Sequence, residues 1–348
     1  MKRVFILAYS KENLGDDLFV DILVNRYKNI QFFTRAIQEH TYIYDKNANL
    51  HFKDYTLEDL AQISAKEFDA IVYIGGSIFM EHAGGVERIK KLNNIASNCK
   101  RNNVPFLFIS SNFGPYKSAE YKREVQKLMR NITDICFRDR KSYETFRKYK
   151  SVRYAPDVVF SYTKPNTRVK KDTVGITVLN FKYRKELKFY QKKYYEVLKN
   201  SIVNYIKQGK NVTLFSFCEY EGDEDSIDLI LSELPQKYSS KIQVERYRGK
   251  LDEFIKKYSS MEYFLCSRFH SMVLSAVFKQ KVSILSYSNK IVNVIYDLHL
   301  SKEHYNVSEI NDIKDIKLDE FDKLNINDTI IKESEMQFEA FEKIINSW

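Results

Sequence analysis

The sequence is poor in the residues that mark fibrous, disordered or disulfide-linked proteins. Its 348 residues include only 10 Gly, 5 Pro and 4 Cys, while 44% of the residues are hydrophobic and 29% are charged. A chain of this composition buries a core and folds as a globular protein. The cysteines have no C-x-x-C spacing, which excludes the usual zinc and dithiol redox motifs, so we expect buried, reduced thiols.

Long hydrophobic runs are also missing. No stretch approaches the ~20 apolar residues of a transmembrane helix. The N-terminus resembles the start of a signal peptide, but its apolar run is short and is followed by Lys11 and Glu12. This run predicts a first buried strand. We expect a cytoplasmic protein, either free or at the inner face of the cytoplasmic membrane.

Positive charge is in excess but is not clustered. The 56 Lys+Arg and 46 Asp+Glu give a net charge of +10. Nucleic-acid binding requires a basic patch or a recognised module, and the sequence has neither, so no nucleic-acid partner is expected. A general positive field favours anionic partners, either phosphorylated metabolites or an acidic membrane surface. A Lys-rich solvated surface is the simpler explanation of the excess.

The length and the pattern of apolar residues predict two α/β domains. The chain exceeds the roughly 250 to 300 residues at which single cores stop growing. Short apolar runs alternate with amphipathic stretches, as in parallel sheets covered by helices, and a Pro- and charge-containing linker at 163–172 interrupts them. We predict domains over 1–164 and 173–330 that face a cleft. A C-terminal helix over 331–348 is expected to pack back on the first domain.

The predicted strands and helices alternate throughout both halves. The strands are predicted at 3–9, 69–74, 105–110, 134–138, 152–154, 173–179, 211–217, 242–246, 262–266 and 282–286. The helices are predicted at 16–28, 86–102, 118–131, 141–149, 188–208, 223–233, 251–259, 271–279 and 290–298.

Residues that directly follow strands are the candidates for chemistry, because open α/β sheets bind ligands beyond the carboxyl ends of their strands. The candidates in the first half are Asn13, Gly15, Asp16, Gly75, Gly76, Ser77, Gly114, Arg138, Asp139 and Asp157. Glycines there let a ligand approach the backbone, but turn and capping chemistry explains each segment equally well. An Arg138–Asp139 pair is expected to be structural, whereas Asp157 is a candidate base. No segment matches a dinucleotide-binding or P-loop motif, so no nucleotide cofactor is indicated.

The strongest local signal is the run Ser267-Arg268-Phe269-His270, which lies between an apolar run and a predicted helix. A helix N-terminus attracts anions. Arg268 adds a planar binder for carboxylate or phosphate, and His270 adds a group that titrates near neutral pH. The run therefore predicts an anion site with acid or base capacity, although a structural role for His270 stays open.

Taken in order, these segments resemble the polysaccharide pyruvyl transferase family. The matching residues are Asn13-Leu14-Gly15-Asp16, Gly75-Gly76-Ser77, Gly114-Pro115, Phe137-Arg138-Asp139 with Ser142, Ala155-Pro156-Asp157, and Ser267-Arg268-Phe269-His270 with Tyr287 and Lys290. Each segment is weak alone, but the ordered series is fairly specific.

The resemblance implies a GT-B-like fold of two Rossmann-like domains, with the acceptor on the first and the donor on the second. It also implies transfer of pyruvate from phosphoenolpyruvate to a sugar as a ketal, with release of phosphate and no metal or other cofactor. Arg268 and His270 match the family's Arg-x-His, which implies a donor site of Ser267, Arg268, Phe269, His270 and Lys290. His270, Asp157 and Asp16 are the candidate catalytic groups.

The acceptor implied is a hexose with free 4- and 6-hydroxyls in a capsule, exopolysaccharide or lipid-linked precursor. Ser77 stands where the family usually has a third glycine. Leu179-Asn180 stands where many members have an arginine, and Lys182 or Arg184 is a candidate substitute. Two alternatives stay open: a GT-B glycosyltransferase that uses a nucleotide sugar, and a non-catalytic glycan-assembly protein.

Overall fold

The computed structural model describes residues 1–9, 11–35, 46–63, 67–182, 184, 186–300 and 303–348. The chain divides into two compact units. Unit 1 comprises Met1–Ser10, Asp16–Ser161 and Asp328–Trp348. Unit 2 comprises Lys11–Gly15 and Tyr162–Asn327.

A parallel sheet forms the centre of unit 1. Its strands are β1 (Lys2–Leu7), β2 (Ile30–Thr34), β3 (Leu50–Phe52), β4 (Ala70–Ile74), β5 (Phe106–Ser111), β6 (Asp134–Phe137) and β7 (Val152–Tyr154). Their order is β3-β2-β1-β4-β5-β6-β7, and all of the described pairings are parallel. This is the Rossmann order, in which the direction of winding reverses between the first and fourth strands.

Helices cover both faces of this sheet and supply the rest of its core. They are α1 (Leu14–Arg26), α2 (Leu57–Leu60), α3 (Gly85–Arg101), α4 (Ala119–Met129) and α5 (Arg140–Phe146). α3 shows the pattern that produces them, since Ile89, Leu92, Ala96 and Cys99 are buried at the spacing of one helical face. Every residue of β5 is buried, as expected for a central strand covered on both sides.

Unit 2 repeats this plan. Its strands are β8 (Thr173–Thr177), β9 (Asn211–Ser216), β10 (Gln243–Arg246), β11 (Tyr263–Cys266), β12 (Lys281–Ser286), β13 (Tyr305–Asn306) and β14 (Asp322–Lys323). The order β10-β9-β8-β11-β12-β13 is again the Rossmann order, with β14 added antiparallel to β12. The helices are α6 (Gln191–Lys207), α7 (Asp223–Glu233), α8 (Gln236–Ser239), α9 (Leu251–Ser259), α10 (Phe269–Val277) and α11 (Asn289–Asp297).

The C-terminal segment belongs to unit 1, as we expected. It forms α12 (Asp328–Glu335) and α13 (Glu339–Ile345), joined by a short 3-10 turn. The Gln337 amide holds it in place, because its Oε1 accepts from the Ser110 N–H at 2.8 Å and its Nε2 donates to the carbonyls of Ala155 and Pro156 at 2.7 and 3.0 Å. The segment thus closes the end of the β5 strand with hydrogen bonds as well as apolar contacts.

The two-unit α/β fold predicted from the sequence is confirmed, and each predicted strand and helix overlaps an observed one within a few residues. Four strands were not predicted: β2, the edge strand β3, and the two-residue strands β13 and β14. The four cysteines are free and buried, as expected. Within the described ranges, no helix has both the length and the apolar composition needed to cross a bilayer.

Candidate active site

A cluster of charged and polar side chains lies at the carboxyl edge of the unit 2 sheet. It contains Asn180 and Arg184 after β8, Glu221 and Asp223 after β9, Arg268 and His270 after β11, and Tyr287 and Lys290 after β12. β8 and β11 are neighbours at the point where the winding of the sheet reverses. Ligands bind at this point in open α/β sheets, so the cluster is the candidate active site of unit 2.

Arg268 is the central cation of the cluster. It is the N-cap residue of α10 in extended conformation, and only 7% of it is exposed. Its Nη1 donates to Glu221 Oε2 at 2.8 Å, and its Nη2 donates to Asp223 Oδ1. Its Nε is buried and has no hydrogen-bond partner among the described residues. The guanidinium is therefore held by two carboxylates and keeps one buried donor unused.

Asp223 is a fixed support for Arg268. It is the first residue of α7 and is fully buried. Its Oδ2 accepts from the backbone N–H groups of Phe217 and Cys218 at 2.9 and 3.1 Å. Burial raises the pKa of Asp223 to about 6 against the opposing effect of Arg268. The carboxylate therefore gains a proton as the pH falls below neutrality.

Glu221 links Arg268 to two other segments. Its Oε1 accepts from Asn13 Nδ2 at 3.1 Å, and its Oε2 lies 3.5 Å from Arg184 Nη2. Burial alone would raise the pKa of Glu221, but Arg268 and Arg184 outweigh it and lower the value to about 2. Glu221 is thus ionised at neutral pH.

The predicted pocket residues Asn13 and Gly15 contact His270 and its surroundings. Asn13 Oδ1 accepts from the Gly15 N–H at 3.0 Å, and the Leu14 N–H donates to the Phe217 carbonyl at 3.1 Å. A Cβ atom added to Gly15 would lie 1.8 Å from His270 Nδ1. Glycine is required here because the imidazole fills the space that any side chain would need.

Tyr287 lies among three cations. The Arg184 guanidinium is 4.6 Å from the centroid of its ring, and Lys290 Nζ is 5.6 Å from it. Burial raises the pKa of Tyr287, but Lys290, Arg184 and Arg268 together lower it to about 8. The low value reflects the positive potential at this edge of the sheet.

Lys182 and Arg184 are the candidate substitutes for the arginine that the sequence lacks at Leu179-Asn180. Asn180 itself is used in the turn, where its Oδ1 accepts from the Lys182 N–H and its Nδ2 donates to the Gly222 carbonyl. Lys182 Nζ lies 3.4 Å from Oδ2 of the exposed Asp225. Of the two candidate substitutes, Arg184 is the one that contacts Glu221 and Tyr287.

Two predicted donor-site residues have buried side chains that pack inside unit 2. The Ser267 hydroxyl accepts from the Tyr194 hydroxyl at 3.1 Å, and its N–H donates to Thr177 Oγ1 at 2.9 Å. The Phe269 ring is buried and packs edge-on against the His270 ring. Both residues position the turn on which Arg268 and His270 lie.

Unit 1 contains a second buried arginine at the carboxyl edge of its sheet. Arg138 Nη1 donates to Asp157 Oδ2 at 2.7 Å, and its Nη2 donates to Asn112 Oδ1 at 2.9 Å. Asp157 is fully buried and also accepts from the Val159 N–H. A Cβ added to Gly76 would lie 2.5 Å from the Arg138 guanidinium. The candidate base Asp157 is thus the ion-pair partner of Arg138 inside unit 1.

The other candidates of unit 1 have local roles. Asp139 caps α5, because its carboxylate accepts from the Ser142 N–H and hydroxyl, so Arg138 pairs with Asp157 rather than with its sequence neighbour. Asp16 lies in the first turn of α1, with its Oδ1 facing the open side of Gly75. The other predicted pocket residues, Ser77 and Gly114, follow β4 and β5, and Gly114 has a φ of 87°.

Glu221 and Asp223 were not among the candidates predicted from the sequence, although they follow a predicted strand. The acidic segment between Cys218 and Asp223 was visible, but its side chains were not expected to bind Arg268. In the described part of the chain, no three His, Cys, Asp or Glu side chains are grouped to hold a metal ion.

Removal of the Asp157 carboxylate tests whether it is a support or a base. Asp157→Ala leaves the Arg138 cation buried without its partner, so we expect the free energy of unfolding to fall by about 3–5 kcal/mol in urea denaturation. Glu144→Ala is the control, since it breaks the exposed Arg147–Glu144 pair and should cost at most ~1 kcal/mol. Unchanged stability with loss of activity would instead identify Asp157 as a base.

The close contact between Gly15 and His270 predicts that the cost in stability of enlarging Gly15 depends on the size of the side chain at position 270. Gly15→Ala should lower the free energy of unfolding by about 1–3 kcal/mol, because the new methyl group overlaps the imidazole. In a His270→Ala background the same change should cost almost nothing. An equal cost in both backgrounds, measured by chemical denaturation, would show that the two residues do not touch.

The cations around Tyr287 predict an unusually acidic tyrosine. One of the 25 tyrosines should ionise with a midpoint near pH 8, and Tyr287→Phe should remove that step from an ultraviolet titration. The folded-state pKa lies below the usual value of about 10. Its contribution to stability is therefore complete above about pH 10 and is lost as the pH falls through 8. A titration identical in both proteins would contradict the clustering of cations.

Comparison with solved structures relates the fold to sugar-nucleotide proteins. UDP-GlcNAc 2-epimerase from Methanocaldococcus jannaschii is 10% identical, with a TM-score of 0.58 over 99% of this chain and 100% of that one. The S. aureus MnaA–UDP co-structure is 12% identical, with a TM-score of 0.60 over 99% and 95%. Anabaena Alr3699/HepE in complex with UDP-glucose is 10% identical, with a TM-score of 0.55 over 100% and 99%. Such low identities show the fold alone, and the GT-B-like class is confirmed.

Comparison at the level of sequence is more specific. No curated protein matches the chain. A family model described as polysaccharide pyruvyl transferase matches residues 13–289, which include Asn13, Arg138, Glu221, Arg268 and Tyr287. The match covers most of the chain and both units, in agreement with the ordered motifs. The chain therefore belongs to the polysaccharide pyruvyl transferase family.

Proposed function

We propose that this transferase moves pyruvate from phosphoenolpyruvate to two hydroxyls of one sugar in a surface polysaccharide or its lipid-linked precursor. The observation that supports this most strongly is the group of three cations, Arg184, Arg268 and Lys290, around Tyr287. They outnumber the two carboxylates of the cluster, Glu221 and Asp223. A site with this surplus suits a small donor that has both a carboxylate and a phosphate.

The reaction balances with one acid and one base. The methylene carbon of phosphoenolpyruvate gains a proton, and one sugar hydroxyl adds to the resulting cationic carbon and loses its proton. The C–O bond to phosphate then breaks, the second hydroxyl adds, and its proton leaves on phosphate. The product is a pyruvate ketal, and on a hexose the 4- and 6-hydroxyls are the pair that forms a six-membered ring.

The residues of unit 2 would bind the donor. Arg268 and Arg184 neutralise the carboxylate, and Lys290 neutralises the phosphate. His270, whose ring is held between Gly15 and Phe269, supplies the proton or binds the leaving phosphate. Ser267 and Phe269 keep the turn in place. No metal or other cofactor is needed by this scheme, because arginine and lysine side chains neutralise the donor.

Asp16 is the preferred base for the sugar hydroxyl. It is only partly buried and lies in the first turn of α1, whereas Asp157 is buried in its ion pair with Arg138. Asp157 acts in this scheme by holding Arg138. Gly75, Gly76, Ser77 and Gly114 would line the acceptor side in unit 1. Capsule or exopolysaccharide synthesis at the inner face of the cytoplasmic membrane would supply such an acceptor.

A nucleotide-sugar transferase is the second candidate. The observation that favours it is the fold shared with proteins solved with UDP or UDP-glucose. The two functions differ in the ligand that stabilises the protein. At ~100 times its dissociation constant a ligand adds about 2.7 kcal/mol to stability. Phosphoenolpyruvate should therefore raise the melting temperature by several degrees, while UDP-glucose should not; neither would do so in a non-catalytic assembly protein.

Variants of the donor site test the assigned roles. Arg268→Ala should abolish the thermal shift with phosphoenolpyruvate, and Arg268→Lys should restore it in part, because lysine keeps the charge but loses the planar two-pronged geometry. His270→Gln should lower the rate of phosphate release from phosphoenolpyruvate by at least ~100-fold without preventing binding. Release is measured with a panel of galactosides and mannosaminides, and product masses identify the ketal. Normal release by Arg268→Ala would refute the donor assignment.

A further inference from the structure

Glu221 and Asp223 both bind Arg268, but their surroundings differ. Asp223 is fully buried, starts a helix and is fastened by two backbone N–H groups. Glu221 lies outside any helix in the turn Glu219–Gly222, and its side chain is 26% exposed. It has a longer, more flexible side chain and accepts no backbone hydrogen bond in the described contacts. Of the two carboxylates, only Glu221 is free to leave without unpairing the backbone.

The contacts of Glu221 are those that an anionic ligand would make. Its two oxygens receive hydrogen bonds from Asn13 Nδ2 and Arg268 Nη1 at 3.1 and 2.8 Å, and Arg184 Nη2 lies at 3.5 Å. Lys290 contributes further positive potential at the same carboxylate. A small carboxylate or phosphate placed at this position would meet two guanidinium groups and one amide, all of them donors.

Arg268 is not saturated by its two carboxylate partners. A guanidinium has five N–H donors, and a buried donor without a partner is costly. With Glu221 on Nη1 and Asp223 on Nη2, the Nε remains unpaired among the described residues. An anion that replaces Glu221 can accept from Arg268 Nη1 and from the Arg184 guanidinium, which lies 3.5 Å from Glu221 Oε2, and so gain charge-assisted hydrogen bonds from two arginines.

We propose that Glu221 is an internal counter-anion that occupies the donor's anion position in the ligand-free protein and is displaced from Arg268 and Arg184 when the donor binds. Asp223 stays in place and keeps Arg268 oriented. Glu221 thus holds the cations together in the absence of ligand and sets the affinity for anions, since a ligand binds only by outcompeting it. This inference rests on the proposed function for the identity of the donor, but not for the displacement itself.

The displacement predicts that loss of the Glu221 charge tightens anion binding. Glu221→Gln keeps the size and hydrogen-bonding capacity of the side chain but removes the competing charge. Inorganic phosphate and phosphoenolpyruvate should each bind at least ~10-fold more tightly, because neighbouring unit charges in a largely buried site interact well above thermal energy. Affinities are measured by isothermal titration calorimetry at constant ionic strength.

Two further variants make the test specific. Glu219→Gln removes the same charge from the same turn, but Glu219 is 56% exposed and pairs with Arg248, so anion affinity should change by less than ~2-fold. Asp223→Asn removes the support of Arg268 and should weaken binding. Melting temperatures of all three variants report whether the fold is intact.

The outcomes separate this inference from the proposed function. Unchanged or weaker phosphate binding by a folded Glu221→Gln protein would overturn the displacement and make Glu221 a positioning residue like Asp223. Tighter phosphate binding would uphold the displacement even if phosphoenolpyruvate binds neither protein, and in that case only the proposed donor would be wrong.

Discussion

The burial of the Arg268 guanidinium is the constraint on which the rest of the unit 2 site depends. A buried cation is stable only when it is paired and hydrogen-bonded. Asp223 and Glu221 meet that need, and each is tied to further structure: Asp223 to the backbone at the end of β9, and Glu221 to Asn13 and Arg184. One charge therefore fixes the relative positions of the segments that follow β8, β9 and β11.

A buried arginine–carboxylate pair occurs in both units, with different results. In each, a buried arginine after a strand is paired with a buried carboxylate, and a glycine leaves room for a functional side chain. In unit 1 the Arg138–Asp157 pair is closed, since both side chains are at most 2% exposed. In unit 2 the cluster has more cations than carboxylates, and one of its carboxylates is partly exposed. The first arrangement stabilises a turn, whereas the second also creates a positive potential that a ligand can use.

Much of the fold was predictable because it follows from local patterns. Apolar runs and helical spacing identified most strands and helices, including Phe106–Ser111 and Gly85–Arg101. β3 was missed because it has only three residues at the sheet edge, whereas β2 was missed although three of its five residues are apolar. Of the candidate site, the Arg268–His270 turn was predicted because its residue types are unusual at a helix start. Glu221 and Asp223 were not predicted as site residues, because acidic residues near the start of a helix are also common as caps.

The sequence by itself determined the α/β class, the two-unit plan, the family resemblance and the residue types available at the strand ends. Only the tertiary structure decided which of these residues pair. Glu221 binds Asn13, which is 208 positions away in the sequence, and Arg268, which is 47 positions away. It also decided that Arg138 pairs with Asp157 rather than with the adjacent Asp139. The physical reason is that strand order brings distant turns to one edge of a sheet. Charge state and pairing depend on distance and burial, which sequence spacing does not contain.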